Sequence, residues 1–232
     1  MQLPSVITID GPAAAGKSTL GYLLAQRLGY TYFDTGVLYR AITCLALRRG
    51  TSPDDEEALT KLAQTAQLQV LPPTVADGRQ YTVLANDIDI TSGLREVTVD
   101  RNVSTISSYP AVRTALREQQ RRIGAQGQVV MVGRDIGTVV MPKADLKVFL
   151  HASVEARAAR RHADVLERGE ALPSVTVEAD LVRRDALDAS NTFRPQDALV
   201  LDTDHLTPEQ EIEAILQHIE TRLWGPTHRV ER

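Results

Sequence analysis

The chain has 232 residues, 43% of them hydrophobic, 24% charged and only 4% aromatic, with a formal net charge of −4. That size suits a single domain with small insertions around an aliphatic core, and the acidic balance gives no general positive field for a nucleic-acid backbone. One cysteine, Cys44, excludes an intrachain disulfide or a cysteine-based zinc site, and the five histidines have no metal-ligand spacing. No apolar run reaches membrane-spanning length and MQLPSVITID carries no basic leader, so a cytoplasmic protein without membrane contact is expected.

In chain order, SVITI at 5–9 is a buried strand. Leu20, Leu23, Leu24 and Leu28 recur at helical spacing over 17–28, and Gly29 ends that helix. A strand at 31–33 and a helix at 37–49, closed by Gly50, follow. Thr51-Ser52-Pro53 reads as a turn and N-cap before a helix with Leu59 and Leu62. Strands at 68–71, 81–84 and 87–90, separated by Pro72-Pro73 and Asp77-Gly78, read as a small antiparallel insertion. Helices begin near Val97 and after Pro110. Apolar strands are expected at 128–132, 146–150 and 198–201. Between the last two lies a charge-rich helical stretch, 155–188, broken at Gly169 and Pro173. Thr207-Pro208-Glu209-Gln210 is a capping box for a last helix reaching about Leu223, with a frayed tail from Gly225. Apolar strands alternating with helices predict an α/β fold whose parallel sheet is covered on both faces, with ligands at the carboxyl ends of the strands.

Gly11-Pro12-Ala13-Ala14-Ala15-Gly16-Lys17-Ser18 fits the pattern G-x-x-x-x-G-K-S/T, between a strand and a helix. Glycine lets the backbone close around phosphate oxygens, and successive N–H groups and the helix N-terminus supply partial positive charge. Lys17 is expected on the β- and γ-phosphates, and Ser18 on a Mg²⁺ ion bridging them. The motif implies nucleotide binding without fixing the reaction.

On the acceptor side, the second strand runs into DTGVLYRA and the third into GRDIGTVVMP. Together with IDGPAAAGKST, LREVTVDRNVSTISSYPAVRTALREQQR and DALVLDT, in this order and spacing, the chain resembles bacterial-type cytidylate kinases over nearly its whole length up to the last helix. The resemblance implies a P-loop nucleoside-monophosphate kinase fold with a five-stranded parallel sheet. It divides one domain, 1–232, into a core (1–35, 126–153, 190–224), an acceptor-binding region with the small β insertion (36–125) and a helical lid (154–189). It implies transfer of the γ-phosphoryl group of ATP to CMP or dCMP, with Mg²⁺, by a monomer. A P-loop kinase for UMP, AMP or a metabolite, or a nucleotide-binding module without an acceptor, stays open beside it.

Carried over residue by residue, the resemblance extends the ATP site from 11–18 to Thr19 and assigns the acceptor phosphate to Arg40 and Arg134, with Thr35 and Tyr39 beside them. Ser104, Arg113 and Asp135 would read the base, and Arg184 and Asp188 would hold the ribose. Arginine suits the phosphate because its planar fork pairs bidentately with oxygens. A carboxylate at Asp135 would accept from the cytosine amino group and repel the uracil carbonyl. The same residues also admit plainer readings, as ion-pairing or capping side chains. Arg157, Arg161 and Arg168 share one helical face, with Arg160 adjacent. The resemblance places lid arginines here, with Arg157 on ATP and Arg161 on the transferring group. The alternative is a solvated helix paired through Glu155, Asp164 and Glu167. One departure stands out. After Arg184-Asp185-Ala186-Leu187-Asp188 the pattern expects arginine where Asn191 stands, and Arg194 is expected to supply the missing charge.

Overall fold

The computed structural model of the chain describes residues 3–167, 169 and 172–224; Arg168 and the tail from Gly225 lie outside them. Strand β1 (Val6–Asp10) leads into α1 (Lys17–Leu28), β2 (Thr31–Asp34) and α2 (Gly36–Arg48). Next come α3 (Glu56–Thr65) and three short strands, β3 (Leu68–Leu71), β4 (Thr82–Ala85) and β5 (Ile88–Asp89). Then follow α4 (Val97–Ser108), α5 (Pro110–Gly124), β6 (Val129–Gly133), β7 (Leu146–His151), α6 (Val154–Glu167), α7 (Ser174–Asp188), β8 (Leu199–Asp202) and α8 (Pro208–Trp224).

The sheet has five strands in the order β2-β6-β1-β7-β8, and each neighbouring pair is parallel. β3, β4 and β5 form the separate antiparallel sheet that the alternation and turn residues of 68–90 predict. Every residue of β6 is buried, as a central parallel strand covered on both faces requires. Ile7, Ile9, Val130, Val132 and Val148 pack beneath α1 and α8 with Leu20, Leu24, Ile215 and Ile219. Val129 and Met131 face the other way, into a second core with Phe33, Leu38, Ile42, Leu59, Ile106 and Leu116. Asp10 pairs in register with Gly133 and Phe149, and Asp34 with Val132. The carboxyl ends of β1, β2 and β6 therefore lie level, where the loops of the predicted site begin.

The local chemistry mostly follows the sequence. The Thr207 amide donates to Gln210 Oε1 (2.9 Å) and the Gln210 amide to Thr207 Oγ1 (3.3 Å), which is the expected capping box. At α3 the cap differs from expectation: Asp55, not 51–53, accepts from the Ala58 amide at 3.0 Å, while the Ser52 hydroxyl only braces the preceding turn. A carboxylate one residue before the helix satisfies an orphan amide that proline at position 53 cannot reach. Three short turns have no periodicity to announce them: Thr91–Arg95, Ile136–Val140 and Ala189–Asn191. The second is a π-turn held by Asp10, whose buried carboxylate accepts from the Ile136 amide (2.9 Å) and the Gly137 amide (2.8 Å). Burial raises the pKa of Asp10 to about 6, against the lowering effect of those two amides.

Glu211, in the first turn of α8, is 4% exposed, and burial pushes its pKa up to about 7, with nearby Arg160 acting in the opposite sense. A folded-state value above the usual 4.5 means that ionisation costs stability progressively as pH rises from 4.5 to about 7. Glu211→Gln removes that cost. Its melting temperature, read by scanning calorimetry, is expected to match the parent near pH 4.5 and to exceed it above about pH 7.

Candidate active site

β1 ends at Asp10 and the chain turns at once around the mouth of α1. A Cβ on Gly11 would sit 2.6 Å from the Leu150 carbonyl oxygen, so only glycine passes β7 here. Ala14 (φ 58) and Gly16 (φ 92) are left-handed, which turns successive amides into one concavity ahead of the α1 N-terminus. Lys17 is 7% exposed and curls over this cradle, its Nζ donating to the Pro12 carbonyl at 2.5 Å. Burial, followed by the charge of Arg134, holds its pKa well below the usual lysine value. Ser18 Oγ donates to Asp34 Oδ2 at 3.0 Å, and the other oxygen of Asp34 accepts from the Gly36 amide at 2.9 Å.

The cradle opens into a cleft of about 650 Å³. Across it, α2 presents Arg40, whose Nη1 lies 2.6 Å from Asp100 Oδ1 and also donates to the Leu94 carbonyl. Arg134, after β6, holds Asp188 of α7 at 3.0 Å. Deeper in, Arg113 and Asp135 pair at 2.5 Å with 10% and 9% of their side chains exposed, and the Arg113 guanidinium lies 5.4 Å from the centre of the Tyr39 ring. Ser104 is buried beside them on α4. Thr35 Oγ1 donates to the Val132 carbonyl at 2.8 Å, which ties the start of α2 to the end of β6. From α6, Arg161 reaches Asp100 Oδ2 at 2.7 Å; from α7, Arg184 reaches Asp180 at 3.3 Å and the Asp100 carbonyl.

Nearly all the residues singled out from the sequence thus wall one cleft: Lys17, Ser18 and Thr19 on one side, with Thr35, Tyr39, Arg40, Ser104, Arg113, Arg134, Asp135, Arg161, Arg184 and Asp188 around the rest. Arg157 is placed otherwise. It is 4% exposed, clamps Asp185 of α7 at 2.7 and 3.0 Å and donates to the Ala13 carbonyl, so it braces the phosphate loop from behind. Among the described residues, Arg160 and Arg161 find partners other than Glu155, Asp164 or Glu167: Arg160 bonds Thr203 of the β8–α8 connection and Arg161 bonds Asp100. Asn191 lines the cleft, whereas Arg194 is exposed and is not part of its wall, so the expected replacement of charge by Arg194 is not what the fold provides. The lining residues that went unread in the sequence include Asp34, Arg95 and Asp100. Asp34 could have been noticed as an acid at a strand end; Asp100, in the first turn of α4, looks like ordinary helix chemistry.

A parallel sheet with a phosphate loop at the end of β1, facing a basic cleft roofed by helices from between and after its strands, defines a P-loop kinase of the nucleoside-monophosphate kinase type. The family model described as "Cytidylate kinase" matches residues 7–221, and the chain belongs to the cytidylate kinase family. It is 57% identical over 216 residues to the cytidylate kinase of Herpetosiphon aurantiacus, covering 93% of this chain and 94% of that one. It is 53% identical over 216 residues to the cytidylate kinase of Chloroflexus aggregans, with the same coverage. Among solved structures, a gluconokinase from Sinorhizobium meliloti aligns over 98% of this chain and 100% of its own at a TM-score of 0.51 and 16% identity, a likeness of fold alone.

The buried Arg113–Asp135 pair sets a test of the site's electrostatics. Asp135→Ala strands a guanidinium that is only 10% exposed and is expected to cost about 3 kcal/mol in urea denaturation. Glu118→Ala breaks the Glu118–Arg121 pair, whose side chains are 73% and 42% exposed, and is expected to cost less than about 0.5 kcal/mol.

Proposed function

We propose that this chain transfers the γ-phosphoryl group of ATP to CMP or dCMP, giving ADP and CDP or dCDP, with each substrate seated from one side of the cleft. The observation that carries the reading is that one cleft is lined both by Lys17, beside its amide cradle, and by Arg40, Arg134, Ser104 and the Arg113–Asp135 pair. The phosphate loop binds the ATP phosphates through main-chain amides and Lys17. Arg40 and Arg134 bind the acceptor phosphate, at the expense of their present carboxylate partners. Ser104, Arg113 and Asp135 meet the base, where the Asp135 carboxylate accepts from the C4 amino group of cytosine. A uracil carbonyl there would face a buried acceptor, a mismatch that discriminates strongly. Arg184 and Asp188 meet the sugar.

No strong general base is required, because the acceptor phosphate, with a second pKa of about 6, is already largely ionised at neutral pH. The protein's work is positioning and neutralisation: Lys17, Arg40, Arg134 and Arg161 oppose the charge of the phosphate groups, and α6–α7 act as a lid that excludes water. Ser18 and Asp34 fit a magnesium ion. A hydroxyl and a carboxylate 3.0 Å apart at the mouth of the phosphate loop are the hard oxygen donors it prefers. β6, the strand beside β1, ends in Val132-Gly133 without an acid, so the carboxylate comes from β2. When bound, the ion neutralises charge on the β- and γ-phosphate oxygens. We place the chain in the cytoplasm, where ATP and nucleoside monophosphates are at hand, and take it as a monomer because residues of one chain line the cleft; no described helix is long and apolar enough to cross a membrane.

A coupled ADP-release assay with Mg-ATP against CMP, dCMP, UMP and AMP tests the reading. CMP and dCMP should stimulate release, with UMP at least about a hundredfold poorer in kcat/KM; equal stimulation by all four, or by none, overturns it. Lys17→Ala should cost about 10³ in rate with an unchanged circular dichroism spectrum. Asp34→Asn should weaken Mn²⁺ binding to the ADP complex about tenfold, read by electron paramagnetic resonance without turnover.

A further inference from the structure

Asp100 occupies an unusual place. It stands in the first turn of α4, yet its side chain enters the cleft and meets arginines from three other helices. Oδ1 lies 2.6 Å from Arg40 of α2 and 3.7 Å from Arg184 of α7, and Oδ2 lies 2.7 Å from Arg161 of α6. The Asp100 main-chain carbonyl accepts a further hydrogen bond from Arg184. The carboxylate is 14% exposed; burial raises its pKa, but Arg40 and Arg161 more than offset this and leave it below the usual value. Among the described residues, three guanidinium groups thus converge on one anion in a space walled by the acceptor-side residues.

This is the arrangement a phosphate group would command, with a carboxylate in its place. We propose that Asp100 is a positioning residue that stands in for the acceptor phosphate: it gathers Arg40, Arg161 and Arg184 when the cleft holds no nucleotide and competes with the incoming phosphate for Arg40 and Arg161. The proposal rests on the acceptor-binding reading of Arg40 given above. Its consequence is selectivity. A free phosphate ion must take guanidinium groups from a carboxylate already 2.6–2.7 Å from them, with nothing else to gain. A nucleoside monophosphate pays the same cost but adds base and sugar contacts that repay it. Asp100 thereby keeps inorganic phosphate from filling the site and raises the KM for the true acceptor.

The test is calorimetric titration of the nucleotide-free protein with inorganic phosphate, comparing the parent with Asp100→Asn and Asp100→Ser. Relief of the competition predicts phosphate binding about tenfold tighter in both variants, with the KM for CMP falling in the same direction. A purely structural role would loosen the cluster and weaken phosphate binding, so unchanged or weaker binding in a folded variant overturns the proposal. A variant that folds only with phosphate present supports it, because the ion is then replacing the missing carboxylate. A variant that fails to fold even in high phosphate overturns it. The titration needs no turnover, so its failure is distinguishable from failure of the CMP assay.

Discussion

A cleft lined by so many cationic side chains must hold its own positive charge together. Among the described residues, six arginines and Lys17 line the cleft, against six carboxylates. Two like charges about 5 Å apart repel by about 3 kcal/mol at an effective dielectric of about 20, a large share of a domain's net stability of about 5–15 kcal/mol. The fold answers by giving the arginines carboxylate partners drawn from other elements: Arg40 and Arg161 take Asp100, Arg134 takes Asp188, and Arg113 takes Asp135. The same pairs carry the architecture. Asp188 joins α7 to the end of β6, and Asp100 joins α4 to α2, α6 and α7.

The phosphate loop solves the opposite problem, attracting anions with little formal charge. Its amides and the α1 N-terminus do this through geometry, which depends on the tight passage of Gly11 past Leu150 and on the level ends of β1 and β6. Asp10 links the two halves. Its carboxylate, one residue before the loop, fixes the amides of Ile136 and Gly137, the residues that follow Asp135. The strand that begins the phosphate cradle therefore also sets where Asp135 stands.

Most of this was legible in the residues. The aliphatic runs at 128–132 and 146–150 identified the buried strands because a strand covered on both faces needs no alternation. The G-x-x-x-x-G-K-S run located the cradle because few other chemistries need glycine, lysine and serine at that spacing. What escaped reading depends on tertiary distance. Nothing local separates Arg157, which turns inward to Asp185, from Arg161, which turns into the cleft; four residues apart on one helix, they meet different neighbours. Asp100 lies sixty residues from Arg40 in the chain, and its role exists only once α2 and α4 are packed. The loop after α7 depends on tertiary distance too: the departure from the pattern at Asn191 is visible in the residues, but only the folded backbone shows Asn191 lining the cleft and Arg194 exposed outside its wall.

The lone thiol has a practical consequence. Cys44 is 2% exposed inside the α2 core, and burial raises its pKa, so little reactive thiolate is available at neutral pH. A cysteine engineered onto the outer surface of α6 or α7 would be the preferred target for a maleimide dye or spin label without first deleting the native sulfur. The motions of those helices could then be followed spectroscopically in an otherwise unaltered molecule.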